Sequence, residues 1–273
     1  MRLILCFFFA ICLDFGCHQA QPPQPAEDVG TLNQRFIAAD GTHRSRLNSG
    51  IGMIHHKAGQ ALLVEHYWQG HKDLVCAVVD SVQMTHPDLA SQVLVGLMAG
   101  AHGEAKTNFE AQLIHLGPSA VDALMGLGAA KADWQTMMPA LHALGKIKAK
   151  KSLGMMTLHL QHPNDWLRIA AAHALGDLGM REGIPALMGA LKDTSDTVVS
   201  AVLVGLGKIG DRAAISACAG KLTDNNARVR AAAVGALGRL GGDQAEALLK
   251  SALRDLDPGV VFKAKQALEI LVK

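Results

Sequence analysis

The segments Ala143-Leu144-Gly145-Lys146-Ile147, Ala174-Leu175-Gly176-Asp177-Leu178, Gly205-Leu206-Gly207-Lys208-Ile209 and Ala236-Leu237-Gly238-Arg239-Leu240 follow one another at a constant step. A fixed period of roughly 31 positions marks a repeat architecture in which each unit is one supersecondary element. The register reaches beyond the motif. Asp193, Asp224 and Asp255 keep it, as do Leu160, Leu191, Leu222 and Leu253, and Leu167, Val198 and Val229. A weaker copy lies upstream, with Leu113, Leu116 and Gly117 in the places of Leu175, Leu178 and Gly179.

Within one unit the apolar spacing is helical. Leu167, Ala171, Ala174, Leu175 and Leu178 form one stripe, so 165–179 predicts a helix, with Asp165 able to cap its start and Gly179 able to end it in a left-handed turn. A second helix is predicted over roughly 183–192, striped by Ile184, Leu187, Met188 and Leu191. Neither helix can bury its stripe alone, so successive pairs must stack. The composition agrees: 49% of the chain is hydrophobic but only 4% is aromatic, leaving a core of Ala, Leu, Val, Ile and Met suited to close-packed helices.

These units resemble the HEAT-like repeats of the phycobilisome-lyase type, whose pattern is Asp-x-x-Val-Arg-x-Ala-Ala-x-x-Leu-Gly-x-Leu-Gly followed by a short helix ending in Leu-x-Asp. Ala227 to Gly241 follows it except that Ala227 replaces the capping Asp; Asp165 to Gly179 has Leu167-Arg168 for Val-Arg; Asp196 to Gly210 has Val199 in place of Arg; and the unit from Asp133 carries an extra residue and Pro139 inside its first helix. The resemblance implies an all-α HEAT/armadillo-like solenoid. The expected division is 1–16 leader, 17–50 disordered tether, 51–103 degenerate helical front of the stack, 104–257 HEAT-like repeats and 258–273 closing helix. Segments 51–68, 72–84 and 88–100 are the helices expected in the front part.

Arg2 precedes the uncharged run Leu3 to Leu13, the length of a signal-peptide core and too short to span a bilayer. Leu13-Asp14-Phe15-Gly16-Cys17 resembles the lipobox of bacterial lipoproteins, with Asp14 as a departure, and implies lipidation of Cys17; the alternatives are a plainly secreted chain and an uncleaved or misread start. The Pro/Gln-rich stretch from His18 to Asp28 reads as a solvated spacer. The expected location is the bacterial cell envelope, on the periplasmic side of a membrane, or else secreted or periplasmic. Cys76 and Cys218 lie in apolar runs several repeats apart and read as buried packing residues rather than a disulfide.

With 26 basic and 24 acidic side chains, the chain offers no broad field for nucleic acid. Of 13 histidines, no two stand at i and i+4, and only His159 and His162 stand at i and i+3, the spacings that place two metal ligands on one helix face. His142 and His173 occupy equivalent positions in neighbouring repeats, too far apart to share an ion. A metal site would instead gather His55 or His56, His66, His71 and His86. There is no His-Glu pair of the kind used by the di-iron HEAT enzyme deoxyhypusine hydroxylase, and no phosphate loop or nucleophile elbow.

Trp134 and Trp166 each follow an Asp at a repeat's first turn, outside the apolar stripe. They read as anchors for a partner, or as cover for the junction with the preceding repeat. Lys192, Lys221 and Lys250 are the candidate basic edge, balanced by Asp193, Asp224 and Asp255. The sequence therefore predicts a non-catalytic scaffold or assembly factor that binds another protein, with a membrane contact through Cys17, no nucleic acid, no cofactor and no metal. The alternatives are a bilin-lyase-like enzyme or subunit, and a metal-binding role for the His-rich front half.

Overall fold

The computed structural model describes residues 27–129 and 132–271, and among these every regular element is helical. The leader, Cys17 and the spacer up to residue 26 lie outside the described residues. Sixteen α-helices run in chain order: α1 (Val29–Ile37), α2 (His43–Ile54), α3 (Lys57–Trp68), α4 (Lys72–Val82), α5 (Pro87–Gly100), α6 (Gly103–Leu116), α7 (Val121–Ala129), α8 (Trp134–Ile147), α9 (Leu153–His159), α10 (Asp165–Leu178), α11 (Ile184–Ala190), α12 (Asp196–Ile209), α13 (Ile215–Ala219), α14 (Ala227–Leu240), α15 (Asp243–Ala252) and α16 (Pro258–Leu271). None of them is long and apolar enough to cross a membrane.

The long helices α8, α10, α12, α14 and α16 pack side by side in one layer, with the short second helices of the repeats behind it. Their leucine register forms the core: Leu144, Leu175, Leu206 and Leu237 are all buried. The layer is tight because small residues meet across it. A Cβ built on Gly145 would stand 2.9 Å from the Ala174 Cα, one on Gly207 2.9 Å from the Ala236 Cα, and one on Gly238 2.8 Å from the Ala267 Cβ. The motif's glycine is therefore the face on which the next repeat rests.

The caps fall one residue earlier than the sequence suggests. Asn164 Oδ1 accepts from the Trp166 N–H (2.8 Å) and Asn226 Oδ1 from the Arg228 N–H (2.8 Å), while Asp165 lies in the first turn and pairs with Arg168 (3.1 Å). An amide caps a helix as well as a carboxylate does, which explains why Ala227 is tolerated where the pattern has Asp. Gly179 and Gly210 end α10 and α12 in the left-handed region, as expected, and Lys148 takes the same conformation at the end of α8 (φ 57°).

Two arginines lock the repeats. Arg168 donates to both oxygens of Asp193 (2.7 and 3.0 Å) and to the His162 and Pro163 carbonyls; Arg230 donates to both oxygens of Asp255 (2.8 Å each) and to the Asp224 and Asn225 carbonyls. Each ties the loop entering its repeat to the loop leaving it. Where Val199 replaces the arginine, Asp224 instead accepts from Lys221 (3.2 Å).

Residues 27–50 correct the expectation of a disordered tether. Asp28 caps α1 by accepting from the Gly30 and Thr31 N–H groups, Leu32 and Phe36 are buried, and the Phe36 carbonyl accepts from Arg46 Nε (2.8 Å). Only a few apolar residues anchor this hairpin, so its period is faint against the polar background. Cys76 is a second correction, since it is exposed on α4 whereas Cys218 is buried. An i, i+3, i+4 stripe buries one face of a helix, and Cys76 falls on the other.

Candidate functional site

The side of the first-helix layer that faces away from the second helices is open, and it carries a groove of about 670 Å³. Four helices build it. The N-terminal part of α6 supplies Lys106 and Glu110; α8 supplies Trp134, Met138, His142 and Lys146; α10 supplies Ile169, His173 and Asp177; and α12 supplies Lys208. The α8 set is a helical stripe at i, i+4, i+8 and i+12, offset from the stripe that packs the core. Across helices the same positions align through the repeat period, so that His142 and His173 fall in one row and Lys146, Asp177 and Lys208 in another.

The charged groups are paired within the groove. Glu110 contacts the imidazole of His142. Asp177 accepts from Lys208 Nζ (2.8 Å) and lies 3.4 Å from Lys146 Nζ. Burial pushes the Asp177 carboxyl up, but the hydrogen bond and charge of Lys208 and the nearby Lys146 outweigh it and hold the group below the usual carboxylate value. His173 moves down, first because it is half-buried and then because Lys208 is close, which favours the neutral imidazole.

Both tryptophans singled out from the sequence reach this face. Trp134 (39% exposed) lines the groove, and Trp166 (56% exposed) lines a smaller hollow beside it that shares Ile169 and is completed by Asn164, Asp165, Ser195 and Thr197. The lysines do not assemble with them. Lys192, Lys221 and Lys250 follow one another at a step slightly shorter than the repeat period, so they occupy unequal places: Lys192 and Lys221 in turns, Lys250 within α15. Lys221 pairs with Asp224 and Lys250 with Glu246 (2.7 Å), while Asp193 and Asp255 are taken by Arg168 and Arg230.

The other histidines have separate settings. His159 donates to the Met155 carbonyl (2.8 Å) and His162 accepts from the Asn164 N–H (3.0 Å). In the front half His55 meets His86 edge-on and His66 meets His71, two pairs rather than one cluster. Among the described residues no three His, Cys, Asp or Glu side chains converge as a metal site would require. Burial pushes the Cys218 thiol up to about 12, which leaves it unreactive. Sequence reasoning missed Glu110, Lys146, Asp177 and Lys208, although the last three share the period that defined the fold.

Stacked helical hairpins with small residues between them and an open face on the first helices define an α-solenoid. Residues 154–219 match the family model of HEAT repeats and residues 229–255 that of the PBS lyase HEAT-like repeat. No curated protein matches the chain. Among solved structures, the complex of CpcE and CpcF of phycocyanin lyase from Nostoc sp. PCC7120 is 24% identical, with 67% of this chain and 77% of that one covered and a TM-score of 0.49. An engineered protein is 18% identical (90% and 79% covered, TM-score 0.48), and an archaeal HEAT-like repeats protein from Thermococcus onnurineus NA1 is 11% identical (91% and 98% covered, TM-score 0.43).

Proposed function

We propose that this protein is a non-catalytic interaction scaffold that receives a partner protein on the open face of its first-helix layer, and that lipidation of Cys17 holds it at the envelope membrane. The observation that carries the reading is the groove spanning α6, α8, α10 and α12, with Trp134 in its wall and Trp166 beside it. Exposed indoles next to fixed charges give a partner large apolar contacts at low entropic cost. The groove is open and shared among repeats rather than enclosed around one set of reactive groups, which suits a long ligand better than a small substrate.

The test is the affinity for a partner isolated by co-purification. Trp134→Ala and Trp166→Ala should each weaken it by about 1–2 kcal/mol or more, with folding unchanged. Unaltered affinity in the double variant would refute the assignment of this face. The tether is tested separately, since Cys17→Ser should release the protein from the membrane fraction.

One feature supports the lyase-like alternative, namely the neutral His173 imidazole in a groove that also holds Asp177 and Glu110. A proton-transfer role for His173 would require a turnover abolished by His173→Gln while partner binding persists.

A further inference from the structure

We propose that the occupant of the open face is an extended acidic segment of the partner protein, laid across the row formed by Lys146, Lys208 and Arg239. This rests on the reading of the open face as the partner-binding surface and adds the chemistry of what it binds.

The row recurs with the period of the fold as Lys146, Asp177, Lys208 and Arg239, near the C-terminal ends of α8, α10, α12 and α14. The first three line the groove. Helix α14 packs on α12 as α12 packs on α10, with Gly207 and Ala236 in the places of Gly176 and Gly205, so Arg239 continues the row. Among the described residues Arg239 makes no ion pair.

The one acid of the row is covered by its neighbours. The Asp177 side chain is 13% exposed, against 44% for Lys146 and 33% for Lys208. Glu110, the groove's other carboxylate, is 15% exposed and engaged by His142. The negative groups therefore lie under their partners while the ammonium and guanidinium groups reach water, and the face presents positive charge to an incoming chain although the whole protein is nearly neutral. Beside the row, Ser200, Val204, Ala231 and Gly235 are small and half-buried, which leaves room for a backbone to lie down.

Spacing favours a polypeptide over a nucleic acid. Neighbouring helices lie about 8–10 Å apart, and an extended chain advances about 3.3 Å per residue. A carboxylate at every third residue therefore meets successive helices, and a neutral residue can pass over Asp177. A nucleic-acid strand carries a phosphate on every nucleotide and cannot leave that gap. Asp165 and Asp196, at the opposite ends of α10 and α12, repel a second line of phosphates.

The test uses the full chain and three labelled probes: a twelve-residue peptide with Glu at positions 1, 7 and 10 and a neutral residue at position 4 to pass over Asp177, the same peptide with Gln in place of Glu, and single-stranded oligothymidylate. The acidic peptide should bind at least tenfold more tightly than the Gln peptide and weaken as salt rises. Lys208→Gln with Arg239→Gln should weaken it at least tenfold, whereas Arg254→Gln, in the loop after α15, should not. Circular dichroism checks that the neutral variants fold. Equal binding of the Gln peptide, still lost in Trp134→Ala, would overturn the acidic assignment while leaving the face as the binding surface. Tighter binding of oligothymidylate, or no peptide binding by folded protein, would also overturn it; in the latter case photocrosslinking from Ile169 and His142 to the partner decides the surface independently.

Discussion

Gly176 and Gly205 meet back to back across the contact of α10 with α12, where a Cβ on Gly176 would lie 2.7 Å from the Gly205 Cα. Gly235, in the middle of α14, has open space where its Cβ would go. The two helical glycines Gly176 and Gly235 should therefore respond oppositely to the same change. Gly176→Ala should destabilise by about 1–3 kcal/mol through overpacking, and Gly235→Ala should stabilise by about 0.5–1 kcal/mol through helix propensity. Urea titrations of both variants read the signs, and a stabilised Gly176→Ala would mean that the layer is looser than the structure describes.

Leu206 is fully buried between repeats, as are its equivalents Leu144 and Leu237. Leu206→Ala should cost about 2–5 kcal/mol, seen as a lower denaturation midpoint. A loss below about 1 kcal/mol would place the residue outside the core.

Lys148 holds the left-handed conformation that glycine holds at the equivalent Gly179 and Gly210. A side chain there costs about 1–2 kcal/mol, partly offset by the greater freedom of glycine when unfolded. Lys148→Gly should raise stability by up to about 1 kcal/mol. A destabilised variant would show that the lysine has a compensating role.

Acid should weaken the protein in two stages. His66 is buried with its ring nitrogens facing Gln69 Oε1 (3.1 Å) and Asn33 Oδ1 (2.5 Å), and burial lowers its pKa, as it does for His55 and His173. The unfolded chain takes up protons near about pH 6.5 while the folded groups resist, so stability falls as pH drops below about 6.5. Asp177 and Asp255 are held below the usual carboxylate range, burial opposing the lysines at the first and Arg230 dominating at the second. Their contribution is present above about pH 4 and lost below it. Denaturation at pH 7.5, 5.5 and 3.5 checks both stages; His66→Gln should flatten the first and leave the second.

The solenoid is legible because its period repeats the same burial demand: Leu175 and Gly176 announce both the core and the contact with the next helix. The groove is harder to read. Lys146, Asp177 and Lys208 share the period, but a row of charges gains meaning only once the stacking shows which face is open. Trp134 and Trp166 stand out because large aromatics at polar positions are unusual, whereas Lys192, Lys221 and Lys250 mislead through a step that falls short of the repeat. The hairpin of α1 and α2 is hidden because Leu32 and Phe36 seat on Gly52 and Gly50 of α2, contacts that leave no long apolar stripe in the sequence.

Site-specific photocrosslinking tests the central claim most directly. A photoreactive phenylalanine analogue at Ile169 or His142, both on the open face, should give one discrete adduct with the partner in cells, while the same analogue at Leu158 or Ala247 on the second helices should give none. Adducts from Leu158 or Ala247 without any from Ile169 or His142 would contradict the account.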